Sequence, residues 1–212
     1  MLRTHYVQEL ESVRHNLVRM GETTLSLLDE ALSVADPNPG PAARASELEA
    51  QTDHQHRLIH DQCLNLITLQ APVARDARLV TGVLDAIVDL ELIGDYAYEI
   101  ATLSGSIKSR PPSQTLSQLL GVGTKIRQAL ETAIEGWRGG DRSKALSVRP
   151  QEAQIRAECR AVFEKLSVLT SASGDATTYV DLMLICSHLE RILRHAVSVA
   201  DQAADVESST RS

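Results

Sequence analysis

Two pairs of acidic side chains, each spaced four residues apart, carry the clearest chemical signal in this 212-residue sequence. Glu49 and Asp53 form one pair, and Glu91 and Asp95 form the other. Because an α-helix completes a turn in about 3.6 residues, both members of a pair lie on one helix face. Each face continues into apolar residues, and a carboxylate turned towards a core is costly unless it is paired or binds a metal. The pairs therefore indicate a cation site, unless both faces turn outward into solvent.

An antiparallel helix hairpin would bring these four carboxylates together. Residues at the same height in such a hairpin have indices with a constant sum, and Glu49 with Asp95 has the same sum as Asp53 with Glu91. The midpoint is Pro72, a residue type suited to the first turn of a helix. Four carboxylates at this range repel one another unless a cation lies among them.

The oxygen-rich composition of this cluster favours a divalent metal. Carboxylate oxygens suit Mg²⁺, Mn²⁺ or iron. His56 and His60 follow on the same face as the first acidic pair and are additional candidate ligands. If they turn inward, they favour Fe, Mn or Zn. The expected cofactor is therefore Mg, Mn, Fe or Zn, with its identity open.

The same relation between residue indices occurs in the second half of the chain, but with different residue types. Glu152 and Arg194 share an index sum with Arg156 and Glu190, and the midpoint is Ser173. Each acid then faces a base, so we expect two cross-helix ion pairs, Glu152–Arg194 and Arg156–Glu190, and no metal. If these pairs are partly buried, removing one partner costs about 3–5 kcal/mol, because the other charge is left unpaired.

Between a few breaks that are rich in Pro and Gly, apolar residues recur every three to four positions, which is the period of a helix. The breaks include residues 36–41, 71–72, 111–112, 139–141 and 171–175. We predict helices near 4–35, 41–70, 73–105, 113–138, 142–170 and 176–205. Pro72 is placed in the first turn of the third helix, and Pro150 should kink the fifth helix or split off a short leading helix.

Six helices separated in this way suggest an internal repeat. Gly21 and Gly123 lie 102 positions apart, and Leu90-Glu91 corresponds to Leu189-Glu190 at an offset of 99. The predicted fold class is all-α, with two tandem three-helix bundles related by the repeat. We place the first repeat at residues 1–108, the second at 109–205 and a disordered tail at 206–212.

Composition narrows the functional classes. A formal net charge of −7 and a 3% aromatic content argue against nucleic-acid binding, which uses Lys and Arg against phosphates and aromatic rings against bases. The three cysteines form no CxxC pair, and no signal peptide or apolar run of transmembrane length is evident. We therefore expect a cytoplasmic protein with reduced thiols. No catalytic set is legible, so we do not expect an enzyme.

Several of these segments resemble motifs of the PhoU family of phosphate-uptake regulators. Residues 49–53 (EAQTD) and 91–95 (ELIGD) resemble its E(D)xxxD motifs. Residues 71–78 (APVARDAR) resemble its QPxAxDLR segment, and residues 89–97 (DLELIGDYA) resemble DLERIGDHA. Residues 189–196 (LERILRHA) resemble LERIGDHA, with Arg194 in place of its Asp. The resemblance covers nearly the whole chain.

This resemblance implies two three-helix repeats, each with a pair of metal-binding motifs. Arg156 and Arg194 stand at two of the metal positions of the second repeat, which argues against a second metal cluster. The family further implies a negative regulator of phosphate uptake and of phosphate-starvation signalling. Such a protein acts as an adaptor between the ATPase of a phosphate ABC transporter and a PhoR-type sensor histidine kinase. It reaches the membrane only through these partners. The sequence does not decide whether it forms a homodimer.

Two other functions fit the same residues. One is a di-metal carboxylate enzyme in a helical bundle, such as a ferritin-like oxidase, in which the acidic cluster binds iron. This class uses ligands from four helices, whereas only one Asp-x-x-His segment, Asp53 to His56, is present. The other is a metal-free helical adaptor whose acidic cluster is simply solvated.

Overall fold

The computed structural model describes residues 2–33, 41–70, 72, 74–107, 111–172 and 175–208, and these residues form helices without any β-strand. The helices are α1 (Leu2–Leu32), α2 (Pro41–Gln70), α3 (Ala74–Ser106), α4 (Ser113–Gly139), α5 (Arg142–Leu146), α6 (Arg149–Ala172) and α7 (Ala176–Ser208). In this described part of the chain, no helix combines the length and apolar character needed to cross a bilayer. The predicted all-α fold class is confirmed.

Pro150 has the expected effect on the fifth predicted helix. The short helix α5 splits off, and α6 begins at Arg149, so that Pro150 lies in the first turn, where its missing N–H removes no helical hydrogen bond. Asp141 caps α5, because its side chain accepts a hydrogen bond from the backbone N–H of Lys144 at 3.1 Å. Of the two predicted effects of Pro150, a kink or a short leading helix, the structure shows the short leading helix.

Two predicted boundaries need correction. Pro72 is not in the first turn of α3, because that helix begins at Ala74, two residues later. The tail predicted for 206–212 starts too early, because α7 continues to Ser208. Val206 is buried, and Glu207 accepts a hydrogen bond from Arg14 at 2.6 Å, so these side chains anchor the last turn. The predicted breaks at 36–40, 71 and 173–174 and residues 209–212 lie outside the described residues.

The six long helices pack in two layers around one continuous core. The front layer has the order α2, α3, α7, α6, and the contact between α3 and α7 is the most extensive in the molecule. Helices α1 and α4 pack behind it, α1 against α2 and α3, and α4 against α6 and α7. Because α1 also contacts α4, the buried side chains of both repeats form a single cluster. The two repeats therefore share a core across the α3–α7 seam.

Close packing between the layers depends on two glycines that correspond in the repeat. A Cβ atom on Gly21 of α1 would lie 2.7 Å from Ile134 Cγ1 of α4, and one on Gly123 of α4 would lie 2.4 Å from Leu32 Cδ2 of α1. The absence of side chains at these positions lets α1 and α4 approach each other closely.

A polar network crosses the seam between α3 and α7. His195 Nδ1 lies 2.7 Å from Asp89 Oδ1, and Gln202 Nε2 donates to Asp89 Oδ2 at 2.8 Å. Burial alone would raise the pKa of Asp89, but hydrogen bonds from His195, Ser198 and Gln202 outweigh it and hold the pKa below its usual value. The Asp89 carboxylate is therefore stabilised in its ionised form by the second repeat.

Replacing Asp89 with Asn should lower the free energy of unfolding at neutral pH by about 1.5 kcal/mol, since charge-assisted hydrogen bonds are the stronger kind. Folding lowers the Asp89 pKa, so its ionised form adds stability above the unfolded-state pKa, and this contribution is lost as the pH falls through the folded-state pKa. The difference between wild type and variant should therefore shrink in acid. Urea denaturation at several pH values tests this, with Asp85→Asn, at an exposed position of the same helix, as the control. An equal loss in Asp85→Asn, or a difference that grows in acid, would contradict the assignment.

Candidate metal site

Three of the four predicted carboxylates meet between α2 and α3. One carboxylate oxygen from each of Glu49, Asp53 and Asp95 lies within 4.8 Å of the others. Glu49 and Asp53 are half-buried on neighbouring turns of α2, and Asp95 is exposed on α3. The antiparallel pairing of α2 with α3 brings Asp95 level with the α2 pair, as the index sums predicted.

The fourth carboxylate, Glu91, points to a histidine. Its Oε2 atom lies 3.1 Å from His56 Nδ1, and the side chains of Glu91 and His56 are 32% and 21% exposed. His56 therefore contacts the fourth predicted carboxylate, and this contact engages its Nδ1 atom. His60 does not join the cluster, because its side chain is 48% exposed and its Nδ1 atom lies 3.6 Å from Asp61 Oδ1.

The carboxylates of the triad repel one another. Partial desolvation raises the pKa of Asp95, and the negative charges of Glu91, Asp53, Glu49 and Glu99 raise it further. Among the described residues, no Lys, Arg or His nitrogen lies within 4.0 Å of the carboxylates of Glu49, Asp53 or Asp95. A bound divalent cation would supply the missing positive charge, and the all-oxygen donor set fits Mg²⁺, Mn²⁺ or iron.

Glu99 is a contributor that the sequence analysis missed. It is exposed and lies one helical turn after Asp95, so its negative charge acts on the triad. The same four-residue spacing that identified Glu91 with Asp95 extends to Glu99 and could have indicated it. Glu99 Oε2 lies 3.2 Å from His188 Nε2 of α7, which ties the edge of the acidic cluster to the second repeat.

Among the described residues, the corresponding position in the second repeat has one cross-helix ion pair, whereas two were predicted. Arg156 contacts Glu152 on its own helix, and its Nε atom lies 3.7 Å from Glu190 Oε1 of α7. Arg194 is exposed and, in the part of the chain that the structure describes, has no carboxylate within 4.0 Å. The predicted Glu152–Arg194 pair is therefore absent.

The expected energetic cost of breaking these pairs must also be corrected. The side chains of Arg156 and Glu190 are 47% and 40% exposed, so their pair is screened by solvent. A pair of this kind contributes about 0–1 kcal/mol, not the larger amount expected for buried partners. Index sums place residues at equal height, but they do not fix the direction in which a long arginine side chain extends.

Each half of the chain contains one match to a known protein family. The PhoU domain model matches the chain twice, at residues 17–104 and 119–203. The chain belongs to the PhoU family. The first match contains the whole carboxylate triad, and the second contains the arginine-substituted positions, so both halves are PhoU domains despite their different site chemistry.

Curated relatives of this PhoU chain align along almost its full length. A phosphate-specific transport system accessory protein PhoU homolog from Synechocystis is 24% identical over 99% of the chain and 94% of its own length. A protein of the same description from Xylella fastidiosa strain 9a5c is 29% identical over 92% of the chain and 84% of its own length. The similarity is therefore not confined to one repeat.

Solved structures have the same fold. The crystal structure of PhoU from Pseudomonas aeruginosa superposes with a TM-score of 0.91 at 23% identity and covers 96% of this chain and 99% of its own. The structure of the phosphate transport system regulatory protein PhoU from Streptococcus pneumoniae gives a TM-score of 0.87 at 20% identity, covering 96% and 97%. The two-layer arrangement of six long helices is thus the PhoU fold.

Proposed function

We propose that this chain is a negative regulator of phosphate uptake and phosphate-starvation signalling. The observation that carries the proposal is the pair of PhoU domain matches, which together span both repeats. Relatives that align over nearly the whole chain are named as accessory proteins of a phosphate-specific transport system. The regulator would act as an adaptor between the ATPase of a phosphate ABC transporter and a PhoR-type sensor histidine kinase, in the cytoplasm.

The metal would belong to the first repeat. Glu49, Asp53 and Asp95 would hold one or more divalent cations, and Glu91 with His56 lies beside them as a further ligand source. The cation would supply positive charge that offsets the repulsion raising the Asp95 pKa. Because Glu49 and Asp53 lie on α2 and Asp95 lies on α3, ligation would join these two helices at one height. In this proposal the second repeat binds no metal, since Arg156 and Arg194 bring their own charges to its face.

Deleting the gene should leave phosphate-starvation genes active when phosphate is plentiful, because the inhibitory link between transporter and kinase would be lost. A reporter driven by a phosphate-starvation promoter measures this in phosphate-rich medium. Wild-type chain supplied in trans should restore repression. Normal repression in the deletion strain would contradict the proposed function.

Recovery of the transporter ATPase and the kinase with the tagged chain from phosphate-replete cells tests the adaptor role directly.

The carboxylate enzyme is the second candidate, and the acidic cluster is the feature that favours it. Helical-bundle di-iron proteins draw ligands from four helices, whereas the triad here comes from α2 and α3. Turnover of O₂ or peroxide by the iron-loaded protein would support the enzyme over the regulator. Inert iron together with recovery of transporter components would support the regulator.

A metal-free adaptor is the third candidate, and it predicts no change in melting temperature with added Mn²⁺ or Fe²⁺.

A further inference from the structure

Two of the three cysteines of the chain lie together between α6 and α7. Cys159 of α6 and Cys186 of α7 are both buried, and the Cys186 Sγ atom donates a hydrogen bond to the Cys159 carbonyl oxygen at 3.2 Å. The two thiol groups also hydrogen-bond to each other. Cys63, the third cysteine, is buried on α2 of the first repeat, and all three are free thiols in this structure. The second repeat therefore contains a thiol pair that bridges two helices.

This thiol pair occupies the place in the second repeat that corresponds to the edge of the candidate metal site. At the offset that relates residues 49–53 to residues 152–156, Cys159 corresponds to His56. At the offset of 99 between α3 and α7, Cys186 takes the place of a buried isoleucine of α3. The second repeat thus has two adjacent thiols between its helices where the first repeat has a histidine and an aliphatic side chain.

The two thiols differ in acidity because each one acts on the other. The hydrogen bond from Cys186 holds the pKa of Cys159 below its usual value, although burial opposes this shift. The same contact, together with burial, raises the pKa of Cys186. Burial raises the pKa of Cys63 to about 12. Because the thiolate is the nucleophilic form of cysteine, Cys159 is the thiol that reacts first, and Cys186 lies beside it as the second reactant.

Helix α6 is free to adjust to a covalent bond with α7. It lies at the end of the front layer, and its extensive contacts are with α7 and α4. Phe163 and Val168 of α6 are 38% and 69% exposed, so part of this helix faces away from the core. A disulfide brings two sulfur atoms to about 2.05 Å, and a helix at the edge of a layer can approach its neighbour without compressing another helix behind it. Local opening of such a helix also admits a small oxidant to a buried thiol.

We propose that Cys159 and Cys186 form a reversible disulfide with hydrogen peroxide as the oxidant, which makes the second repeat a thiol-based redox site. The Cys159 sulfur attacks one peroxide oxygen and breaks the O–O bond, which gives a sulfenic acid, while the thiol proton leaves with the other oxygen as water. The Cys186 sulfur then attacks the Cys159 sulfur, the S–O bond breaks, and the hydroxyl departs as a second water with the Cys186 proton. The two thiols lose two electrons, which the O–O bond accepts. A thiol reductant returns both cysteines to their free form.

The disulfide would join α6 to α7 beside the ion pair of the second repeat. Cys159 lies three residues after Arg156, and Cys186 lies four residues before Glu190, so the bond would form about one helical turn from that pair. In cytosolic proteins, disulfides are usually transient and redox-sensing, which agrees with a bond that forms and is reduced again. The inference depends neither on the proposed metal nor on the proposed regulatory function.

The experiment treats the reduced full chain with an equimolar amount of hydrogen peroxide, in the presence of a chelator that excludes metal-catalysed oxidation. Wild type should lose two of its three thiols, as counted in denaturant. After the remaining thiol is blocked, trypsin should release residues 157–160 linked to residues 166–191. The linked product should be two hydrogen atoms lighter than the two peptides together, and a thiol reductant should separate them.

Three single variants test the roles of the individual cysteines. Cys186→Ala should stop at the sulfenic acid of Cys159, which dimedone labels, whereas Cys159→Ala should form neither the sulfenic acid nor the disulfide. Cys63→Ala, at a buried cysteine of the other repeat, is the matched control and should form the same linked peptides as wild type. Circular dichroism verifies that the variants remain helical.

The peptide map of wild type decides the bond without any substitution, so the proposal stays testable even for a variant that does not fold. Retention of all three thiols after peroxide treatment would overturn it. A disulfide that contains Cys63, or one that joins two chains, would also overturn it.

Discussion

Replacing Asp53 and Asp95 together with Asn is expected to abolish the stabilisation of this protein by divalent metal. These residues contribute two of the three carboxylates in the triad, one from each helix. A ligand at about 100 times its dissociation constant stabilises the folded state by about 2.7 kcal/mol. For a chain of this length, that corresponds to a rise of about 5–10 °C in melting temperature. Calorimetry with and without Mn²⁺ or Fe²⁺ should show this rise in wild type and none in the variant.

The same variant should be at least as stable as wild type when both are free of metal. The pKa of Asp95 is raised, so its ionised form is penalised above the folded-state pKa, and the penalty decreases as the pH falls through that value. Asn removes this penalty at any pH. The variant D61N/D85N changes the same charges on the same two helices at exposed positions outside the triad, and it should keep the metal response. If added metal still raises the melting temperature of D53N/D95N, or does not raise that of wild type, the cluster is a solvated acidic face and not a metal site.

Gly21→Ala should destabilise the protein by about 1–2 kcal/mol, although alanine is normally the better residue in a helix. The new Cβ would lie 2.7 and 2.8 Å from two atoms of Ile134, and a third atom lies at 3.3 Å. Ile134 is buried and β-branched, so it cannot turn away easily. Helices α1 and α4 would have to separate, which would disturb the core shared by the two repeats.

Gly121→Ala provides the matched comparison for this prediction. Gly121 is exposed within α4, and nothing lies within 4 Å of a Cβ atom there. The substitution should stabilise the protein by about 0.5–1 kcal/mol, because it removes backbone freedom from the unfolded chain. Urea denaturation of both variants should therefore give changes of opposite sign. The same sign in both would show that the close approach of α1 to α4 does not limit packing.

The helices could be predicted from the sequence because their causes are local. The spacing of apolar residues and the positions of Pro and Gly predicted six long helices, with either a kink or a short leading helix at Pro150, and the structure shows the short helix α5. The index sums also placed Asp95 beside Glu49 and Asp53, because the short turn of an antiparallel helix hairpin determines which residues of its two helices lie at the same height. Similar residues at near-constant offsets in the two halves led to the prediction of a repeat, which the two PhoU domain matches confirm.

The remaining features depend on contacts that sequence spacing does not encode. Index sums give height but not the direction of a side chain, so they could not show that Glu91 engages His56 or that Arg194 extends into solvent. The seam between α3 and α7 joins residues about a hundred positions apart, such as Asp89 and His195, and no hairpin rule applies to it. The predicted end of α7 came too early because tertiary contacts of Val206 and Glu207 stabilise the last turn, and helical propensity does not reveal such contacts.

Anomalous diffraction from crystals soaked in Mn²⁺ tests the central claim most directly, since it locates the metal without any assumption about ligands. We expect anomalous density between α2 and α3, within bonding distance of Glu49, Asp53 and Asp95, and none between α6 and α7. Crystals of the D53N/D95N variant should lack this density under the same soak. Density beside Glu152 and Glu190, or none in the first repeat at saturating Mn²⁺, would contradict a metal site confined to the first repeat.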